Sequence, residues 1–393
     1  MSVRNETTDS ISLHHECSGK IEITSKVEVN DEQDLSVVYT PGVSEVCKAI
    51  TEDESKVNSL TARGNMIAVV TDGTAVLGLG DIGPKAAIPV MEGKSILFKK
   101  LANVDAFPIS LNTKDTEEII SIIKALEPNF SGINLEDISA PRCFEIEKRL
   151  IEELDIPVFH DDQHGTAIVV LAALINALKF VQKEDYSSKI IINGAGSAGI
   201  AIAKLLLEAG YNNITLVSLE GVLNKSETWM NSAQQDIATY TNPERSTGTL
   251  DDVIQNADVF IGVSGPKALT KDHVQSMNDN PVVFALANPT PEIYPEEAIE
   301  AGATIIGTGR SDYPNQINNL LAFPGIFRGV LDAQSSDITT EMKITAAKAI
   351  AGSIREDQLS ADFIIPNALD KNVTHQVAEA IKHSAKKEGE ILV

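Results

Sequence analysis

The chain has 393 residues, and its 32 Lys and Arg against 56 Asp and Glu give a formal net charge of −24 at pH 7. That length predicts two domains that each bury a core, and that charge argues against nucleic acid and anionic membranes as partners. Three cysteines without a CxxC pair, a polar N-terminal segment and no apolar run of membrane-spanning length predict a cytoplasmic protein without disulfides or a signal peptide.

Between residues 60 and 162, short apolar runs alternate with amphipathic stretches. Apolar residues recur at three- and four-residue spacing over 116–128 and 142–154, so we predict helices there. The predicted strands are 66–73, 107–112, 130–135 and 156–162. This alternation is typical of a parallel sheet with helices on its faces.

The same alternation restarts after Lys189, where each strand-like run ends in a turn rich in Gly or Pro. A long apolar stretch at 166–180 predicts a helix that connects the two sets of strands. We therefore predict an α/β protein of two domains. The N-terminal domain (1–162) is expected to contain a parallel sheet, and the C-terminal domain (163–393) a Rossmann-type dinucleotide-binding fold.

The sequence GAGSAG follows the first strand of the C-terminal set and precedes an Ala-rich helix predicted at 198–209. In this context G-x-G-x-x-G is typical of dinucleotide binding, because the turn brings backbone and a helix N-terminus close to a pyrophosphate. An ordinary glycine-rich turn is the simpler alternative. The residues predicted to contact the cofactor here are Gly194, Ala195, Gly196, Ser197, Ala198 and Gly199.

The end of the next strand, ITLVSLEG, bears on which dinucleotide binds. Glu220 would repel the 2′-phosphate of NADP, and no basic residue follows before Lys225. We therefore predict NAD as the cofactor. NADP stays possible because the strand itself ends in Ser218.

Two acidic pairs follow predicted strands of the N-terminal domain. Glu136 and Asp137 follow one strand, and Asp161 and Asp162 end the next. Because the tips of parallel strands meet at one edge of a sheet, Glu136, Asp137 and Asp162 can converge on one cation. Hard oxygen ligands favour Mg²⁺ or Mn²⁺. Asp161 could act as a base or cap a helix, and we expect it to support the site rather than to bind the metal.

Two histidines, His160 and His164, flank the second acidic pair and raise the alternative of zinc. Their i, i+4 spacing would place them on one helix face if the helix began early. No cysteine or HExxH pattern accompanies them, and Gly165 predicts a helix that starts only after His164. We therefore favour the carboxylate site over zinc.

Tyr39 and Lys94 are two further polar residues in turn-like contexts. Tyr39 directly precedes Thr-Pro-Gly, a turn that would project its phenol, although a tyrosine at a core edge is the simpler explanation. Lys94 follows Gly93 and precedes the strand-like run SILF (95–98). Such a lysine is usually solvated, but a desolvated one can act as a base at neutral pH.

Together these segments resemble the malic enzymes, specifically their short bacterial and archaeal form. The resemblance extends from about Leu35 to Val330, with the motifs in the family's order. The motifs are YTPGVSEVCKAI, GTAVLGLGDIGPKAAIPVMEGKSILFKK, NLEDISAPRCFEIEKRL, DIPVFHDDQHGTAIV, NGAGSAGIAIAKLLL, FALANPTPEI and TGRSDYPNQINNLLAFPGIFRG. The resemblance implies a homodimer that oxidatively decarboxylates (S)-malate to pyruvate and CO₂, reduces NAD or NADP, requires a divalent metal and is able to decarboxylate oxaloacetate.

Residue by residue, the resemblance implies that Lys94 is the general base and Tyr39 the general acid. It implies that Asp161 supports catalysis and that the three converging carboxylates bind the metal. Asn288 and Asn319 match residues that contact malate or the nicotinamide end of the cofactor.

One segment departs from the longer eukaryotic members, in which an arginine holds a malate carboxylate. Here TDGTAVLGLGD has Thr74 and Ala75, so Lys99, Lys100 or a residue of a partner subunit is expected to replace it. Two other functions stay open. A malolactic-type decarboxylase would share the site but keep NAD bound, and a non-catalytic nucleotide sensor would need only the C-terminal fold.

Overall fold

The structure is a computed structural model that describes residues 6–76, 78–183 and 186–389. It contains two parallel sheets in succession along the chain, which confirms the predicted two-domain α/β fold. The N-terminal sheet has the order β2-β1-β3-β4. Its strands are β1 (Met66–Thr71), β2 (Asp105–Ser110), β3 (Ile133–Leu135) and β4 (Val158–His160).

The C-terminal sheet has the order β6-β5-β7-β8-β9, with every pair parallel. Because β6 lies on one side of β5 and β7 on the other, the strand order reverses at β5, and this is where such folds bind ligands. The strands are β5 (Ile190–Asn193), β6 (Ile214–Val217), β7 (Val259–Gly262), β8 (Val282–Ala285) and β9 (Ile305–Thr308).

Helices cover both sheets and form the N-terminal segment. Those before β5 are α1 (Glu6–Cys17), α2 (Glu32–Val38), α3 (Val43–Glu52), α4 (Val57–Leu60), α5 (Pro84–Ala102), α6 (Thr116–Leu126), α7 (Arg142–Glu153) and α8 (Asp161–Phe180). Those after β5 are α9 (Ser197–Glu208), α10 (Ser232–Ile237), α11 (Leu250–Val253), α12 (Lys271–Ser276), α13 (Pro295–Glu300), α14 (Phe323–Ala333), α15 (Thr340–Gly352) and α16 (Lys371–Glu388).

Helix α8 connects the two halves and packs against α9 and α15. It is long and apolar enough to cross a membrane, but 72% of its most apolar window is buried inside the protein, as is usual for a core helix. A second connection is made by Phe98 of α5, whose ring lies 4.7 Å from Phe323 and 5.4 Å from Phe327 of α14. The two sheets therefore share one continuous core. The predicted division into 1–162 and 163–393 stays a prediction, and it falls in the first turn of α8.

Two local predictions are wrong. The run 95–98 is not strand-like but lies within α5, whose buried face includes Met91, Lys94 and Phe98 at helical spacing. Helix α8 begins at Asp161 rather than after His164. In both cases a glycine that suggested a break lies inside a helix, because tertiary packing outweighs its low helix propensity.

The N-terminal segment contributes little to this core. Among the described residues from 9 to 66, none is buried. Helices α2, α3 and α4 have 7, 10 and 4 residues, and no residue in them is buried. Helices this short are unstable in isolation and depend on tertiary contacts.

Candidate functional site

A buried lysine joins three elements at the carboxyl edge of the N-terminal sheet. Lys94 of α5 is 8% exposed, and its Nζ lies 3.0 Å from Oε1 of Glu136, which directly follows β3. The same ammonium group donates to Oδ2 of Asp161 at the start of α8 and lies 4.0 Å from the ring centre of Phe323. Burial disfavours the charge, but the two carboxylates outweigh burial and raise the pKa of Lys94 above its ordinary value.

Three carboxylates cluster beside this lysine. Oxygen atoms of Glu136, Asp137 and Asp162 all lie within 4.8 Å of one another. Asp137 has a positive φ of 55°, and its backbone N–H donates to Oδ2 of Asp162 over 2.8 Å. Its own Oδ2 is buried without a hydrogen-bond partner in the described part of the chain. This unpaired oxygen is free to ligate a cation.

The electrostatics of the cluster favour a cation. Burial raises the pKa of Glu136 to about 7, of Asp137 to about 9 and of Asp162 to about 6, and repulsion from neighbouring carboxylates adds to each. A divalent ion would offset this repulsion and supply a partner for the unpaired oxygen. Three carboxylates without a thiolate are a donor set that fits Mg²⁺ or Mn²⁺.

Asp161 supports the lysine from behind. It is fully buried, and the Oδ2 that accepts from Lys94 also accepts from Nδ2 of Asn319 over 2.6 Å. These partners are side chains, not the backbone N–H groups that a helix cap would satisfy. A Cβ at Gly165, one turn along α8, would overlap Oδ1 of Asp161. Gly165 therefore makes room for the aspartate and does not mark the start of the helix.

Glu147 is a buried residue of the site region that sequence reasoning missed. Its carboxylate accepts the backbone N–H of His160 over 2.8 Å and lies 3.0 Å from Nε2 of His164. Burial opposes its charge, but His164, together with Lys343 and His160, outweighs burial and lowers the pKa of Glu147 to about 2. His164 is thus paired with a carboxylate rather than placed for zinc. The signal was present, because Glu147 lies on the apolar face of α7 with Cys143 and Leu150.

The GAGSAG turn lies at the carboxyl edge of the other sheet, between β5 and α9. Gly194 has a φ of 122°, and a Cβ there would overlap the carbonyl oxygen of Val263. A Cβ at Gly199 would overlap the carbonyl oxygen of Gly194, so α9 packs closely on the turn. Gly196, by contrast, has nothing within 4 Å of its Cβ position. The N-terminus of α9 is therefore open to an anionic group such as a phosphate.

A single cleft of about 450 Å³ joins the two regions. Asp162 lines it on one side, and Ser197 and Ala198 at the start of α9 line it on the other. Asn288, which follows β8, and Asn319 also line the cleft. The structure therefore brings together the predicted carboxylates, the glycine-rich turn and both predicted asparagines.

Four predicted residues lie elsewhere: Tyr39, Glu220, Lys99 and Lys100, of which Lys100 is an exposed residue near the end of α5. Tyr39, which directly follows α2, is 67% exposed and does not line this cleft. Glu220 is an exposed residue beyond β6, where Ser218 Oγ donates to its Oε2 over 2.5 Å and lowers the pKa of Glu220. Lys99 pairs with Asp105 over 2.8 Å, with its side chain half exposed.

Two family models match the chain, one after the other. "Malic enzyme, N-terminal domain" matches residues 18–151, and "Malic enzyme, NAD binding domain" matches residues 163–386. The first match includes Lys94, Glu136 and Asp137. The second includes α8 from residue 163 onward and the glycine-rich turn, and Asp162 lies between the two matches. The two halves that the cleft joins thus correspond to the two models.

Similar proteins cover nearly the whole chain. An NAD-dependent malic enzyme of Geobacillus stearothermophilus is 59% identical over 94% of this chain and 77% of its own length. A bifunctional malic/malolactic enzyme of Bacillus subtilis is 56% identical over 99% of this chain and 94% of its own. The crystal structure of an NAD-dependent malic enzyme from Thermotoga maritima has a TM-score of 0.92 and 51% identity, and the match covers 95% of this chain and 99% of that one. Further relatives, about half of whose length the chain spans, are named NADP-dependent malic enzymes.

The overlap at Gly165 generates a stability prediction. Because an added Cβ would displace the buried Asp161 carboxylate, Gly165→Ala should lower the free energy of unfolding by about 2 kcal/mol. Gly352→Ala is the matched control: this helical glycine has nothing within 4 Å of its Cβ position, so the change should raise stability by roughly 0.5 kcal/mol. Urea unfolding of both variants measures this. Equal effects of the two changes would contradict the close packing at Gly165.

Proposed function

Because the chain belongs to the malic enzyme family, we propose that it oxidises (S)-malate at C2 and decarboxylates it to pyruvate and CO₂ while NAD is reduced. The observation that carries this proposal is the shared cleft, which is lined by Asp162 of the carboxylate cluster and by Ser197 at the start of α9. We propose that Glu136, Asp137 and Asp162 hold Mg²⁺ or Mn²⁺.

Lys94 and Tyr39 divide the proton transfers in this proposal. Lys94 accepts the hydroxyl proton of malate as a hydride leaves C2 for the nicotinamide ring, and oxaloacetate results. Loss of the C4 carboxylate as CO₂ then gives the enolate of pyruvate, and Tyr39 donates a proton to its C3. The proton taken from oxygen is thus matched by one delivered to carbon. A bound divalent ion would polarise the C2 oxygen as a Lewis acid.

Asp161 and Asn319 orient the lysine for this role. The carboxylate of Asp161 accepts from both Lys94 and Asn319, so it fixes the position of the ammonium group relative to the cleft. The same pairing holds Lys94 in its charged form. A role as base therefore requires that the negative charge around Lys94 be offset, and a divalent ion held by the carboxylate cluster would do so.

A malolactic reaction is the second candidate. The Bacillus subtilis relative is named as a bifunctional malic/malolactic enzyme, and the same site would serve a reaction that keeps the nucleotide bound and releases lactate. A nucleotide sensor is disfavoured, because it would have no use for the buried Lys94 and three clustered carboxylates.

We propose that the protein is a homodimer in which Tyr39 reaches the cleft of the partner. Support comes from the exposed apolar surface of the N-terminal segment, where Val37, Val38 and Tyr39 are 70%, 44% and 67% exposed. A second copy that covers this surface would bring Tyr39 into a site that lacks it within its own chain. A partner would also supply a positive side chain for the second carboxylate of malate, since among the described residues that line the cleft none is Lys or Arg.

We also propose that the protein is soluble and cytoplasmic. Among the described residues, one helix is both long and apolar enough to cross a membrane, and most of it is buried in the core. The cysteines are free thiols, as expected in a reducing compartment.

The metal site is tested by Asp162→Ala. This variant should lower kcat for NADH formation from malate with Mn²⁺ by about a thousandfold, because Lewis-acid catalysis contributes several kcal/mol. NADH binding should stay near wild type. Absorbance at the NADH band, with pyruvate and lactate quantified, measures the reaction and separates the malic from the malolactic outcome. Asp272→Ala, on the exposed surface of α12, is the control and should keep wild-type activity. Full activity of Asp162→Ala in the presence of a chelator would show that the reaction does not require a metal at this site.

Coenzyme preference is tested at Glu220. Since its carboxylate would repel a 2′-phosphate, kcat/KM should be higher with NAD than with NADP, and Glu220→Gln should narrow the difference several-fold. Steady-state kinetics with both coenzymes measure this. A wild-type preference for NADP would show that another residue sets the choice.

The source of Tyr39 is tested by mixing two inactive variants. Lys94→Ala and Tyr39→Phe should each lower malate turnover by about 10²- to 10⁴-fold, as expected for loss of a general base or acid. If Tyr39 acts in the partner's cleft, heterodimers from co-expression contain one intact site. The mixture should then regain about a quarter of wild-type activity, because half of randomly assembled dimers are mixed.

The control for this experiment is co-expression of Lys94→Ala with Asp162→Ala. Both residues belong to the same chain's site, so each mixed dimer still has two defective sites and no activity should return. If Lys94→Ala and Tyr39→Phe also fail to restore activity together, each site uses Tyr39 and Lys94 from the same chain. Wild-type turnover by Tyr39→Phe alone would show that Tyr39 is not the acid.

A further inference from the structure

Two loops at the carboxyl edge of the C-terminal sheet form one wall of the cleft. The loop after β7 contributes Ser264, and the loop after β8 contributes Ala287 and Asn288. Ser264, Ala287 and Asn288 all lie beyond the ends of these strands. Contacts beyond the sheet ladder must therefore determine how far apart the two loops lie.

One buried carboxylate bridges these loops. Glu292 is 0% exposed. Its Oε1 accepts the backbone N–H of Ser264 over 2.9 Å, and its Oε2 accepts the backbone N–H of Ala287 over 3.0 Å. Each carboxylate oxygen thus binds one loop, and Glu292 itself does not line the cleft.

The surroundings are shaped to fit this side chain. Gly262, the last residue of β7, leaves the necessary space, since a Cβ there would lie 2.5 Å from Cδ of Glu292. Burial raises the pKa of Glu292, while the N–H donors of Ser264 and Ala287 act in the opposite direction. A neutral glutamine of the same size could satisfy only one donor, because its amide NH₂ group would face the other N–H.

We propose that Glu292 is a positioning residue for the nicotinamide end of the cofactor. By holding the N–H groups of Ser264 and Ala287 it sets the separation of the two loops and the place of Asn288 in the cleft. It contacts neither substrate nor cofactor itself. The inference deepens the proposed function and rests on it for the identity of the cofactor.

Direct binding of NADH tests this role. In Glu292→Gln one buried N–H donor loses its acceptor, so the Kd for NADH and the KM for NAD should rise by roughly tenfold. Mn²⁺ binding, followed by electron paramagnetic resonance, should not change, because the carboxylate cluster lies on the other side of the cleft. NADH binding is followed by fluorescence without turnover. A chain that binds NADH but fails to oxidise malate would therefore refute the proposed function and not this inference.

Asp258→Asn is the matched control. Asp258 precedes the opposite end of β7, where its Oδ2 accepts the backbone N–H of Lys189 over 2.8 Å. This change should lower the melting temperature as Glu292→Gln does but leave the Kd for NADH unchanged. Glu292→Asp keeps the charge, and its Kd for NADH should fall between those of the wild type and Glu292→Gln.

Two results would overturn the proposal. The first is a Glu292→Gln protein that is less stable but binds NADH with wild-type affinity, which would make Glu292 a structural residue only. The second applies if Glu292→Gln does not fold. The side chain of Glu292→Asp is too short to hold both loops in their wild-type positions. If the folded Glu292→Asp protein nevertheless binds NADH with wild-type affinity, the positioning role is excluded.

Discussion

The ammonium group of Lys94 is the positive charge on which the arrangement of the site depends. Removing an ion from water costs several kcal/mol unless partners compensate, and Lys94, Glu136 and Asp161 are all buried. They are tolerated together because one cation lies between two anions, with the Phe323 ring against its third side. Loss of Lys94 would leave two carboxylates in the interior without the cation that both contact. The ion pairs therefore hold α5, the end of β3 and the start of α8 in one fixed relation.

Helix α8 turns this local arrangement into a site shared by both halves of the molecule. Its first turn carries Asp161 and Asp162 at the edge of the N-terminal sheet, while its body is buried against α9 and α15 of the C-terminal half. Asn319, from the segment after β9, reaches back to Asp161. Because one rigid helix belongs to both cores, the carboxylate cluster and the N-terminus of α9 face the same cleft.

Local sequence signals were sufficient for the order of elements and for most of the candidate residues. Alternating apolar runs and helical spacing predicted both parallel sheets, since periodicity reports which face of an element is buried. The turn from Gly194 to Gly199 was recognisable because its glycine spacing directly follows a strand and precedes a helix. The contact of Gly199 with the carbonyl oxygen of Gly194 is local, whereas Gly194 packs against Val263, which is distant along the chain. The acidic pairs were recognisable because strand tips of a parallel sheet necessarily share one edge.

The sequence by itself thus determined the two α/β halves, the family, the glycine-rich turn and the carboxylates that lie at strand tips. Only the tertiary structure decided that Lys94 lies inside a helix between two buried carboxylates, that α8 starts at Asp161, and that Glu147 and Glu292 hold backbone groups beside the cleft. The physical reason is the range of the interactions. Helical periodicity and tight turns act between residues a few positions apart, whereas ion pairs such as Lys94 with Asp161 join residues that are distant along the chain and depend on how whole elements pack.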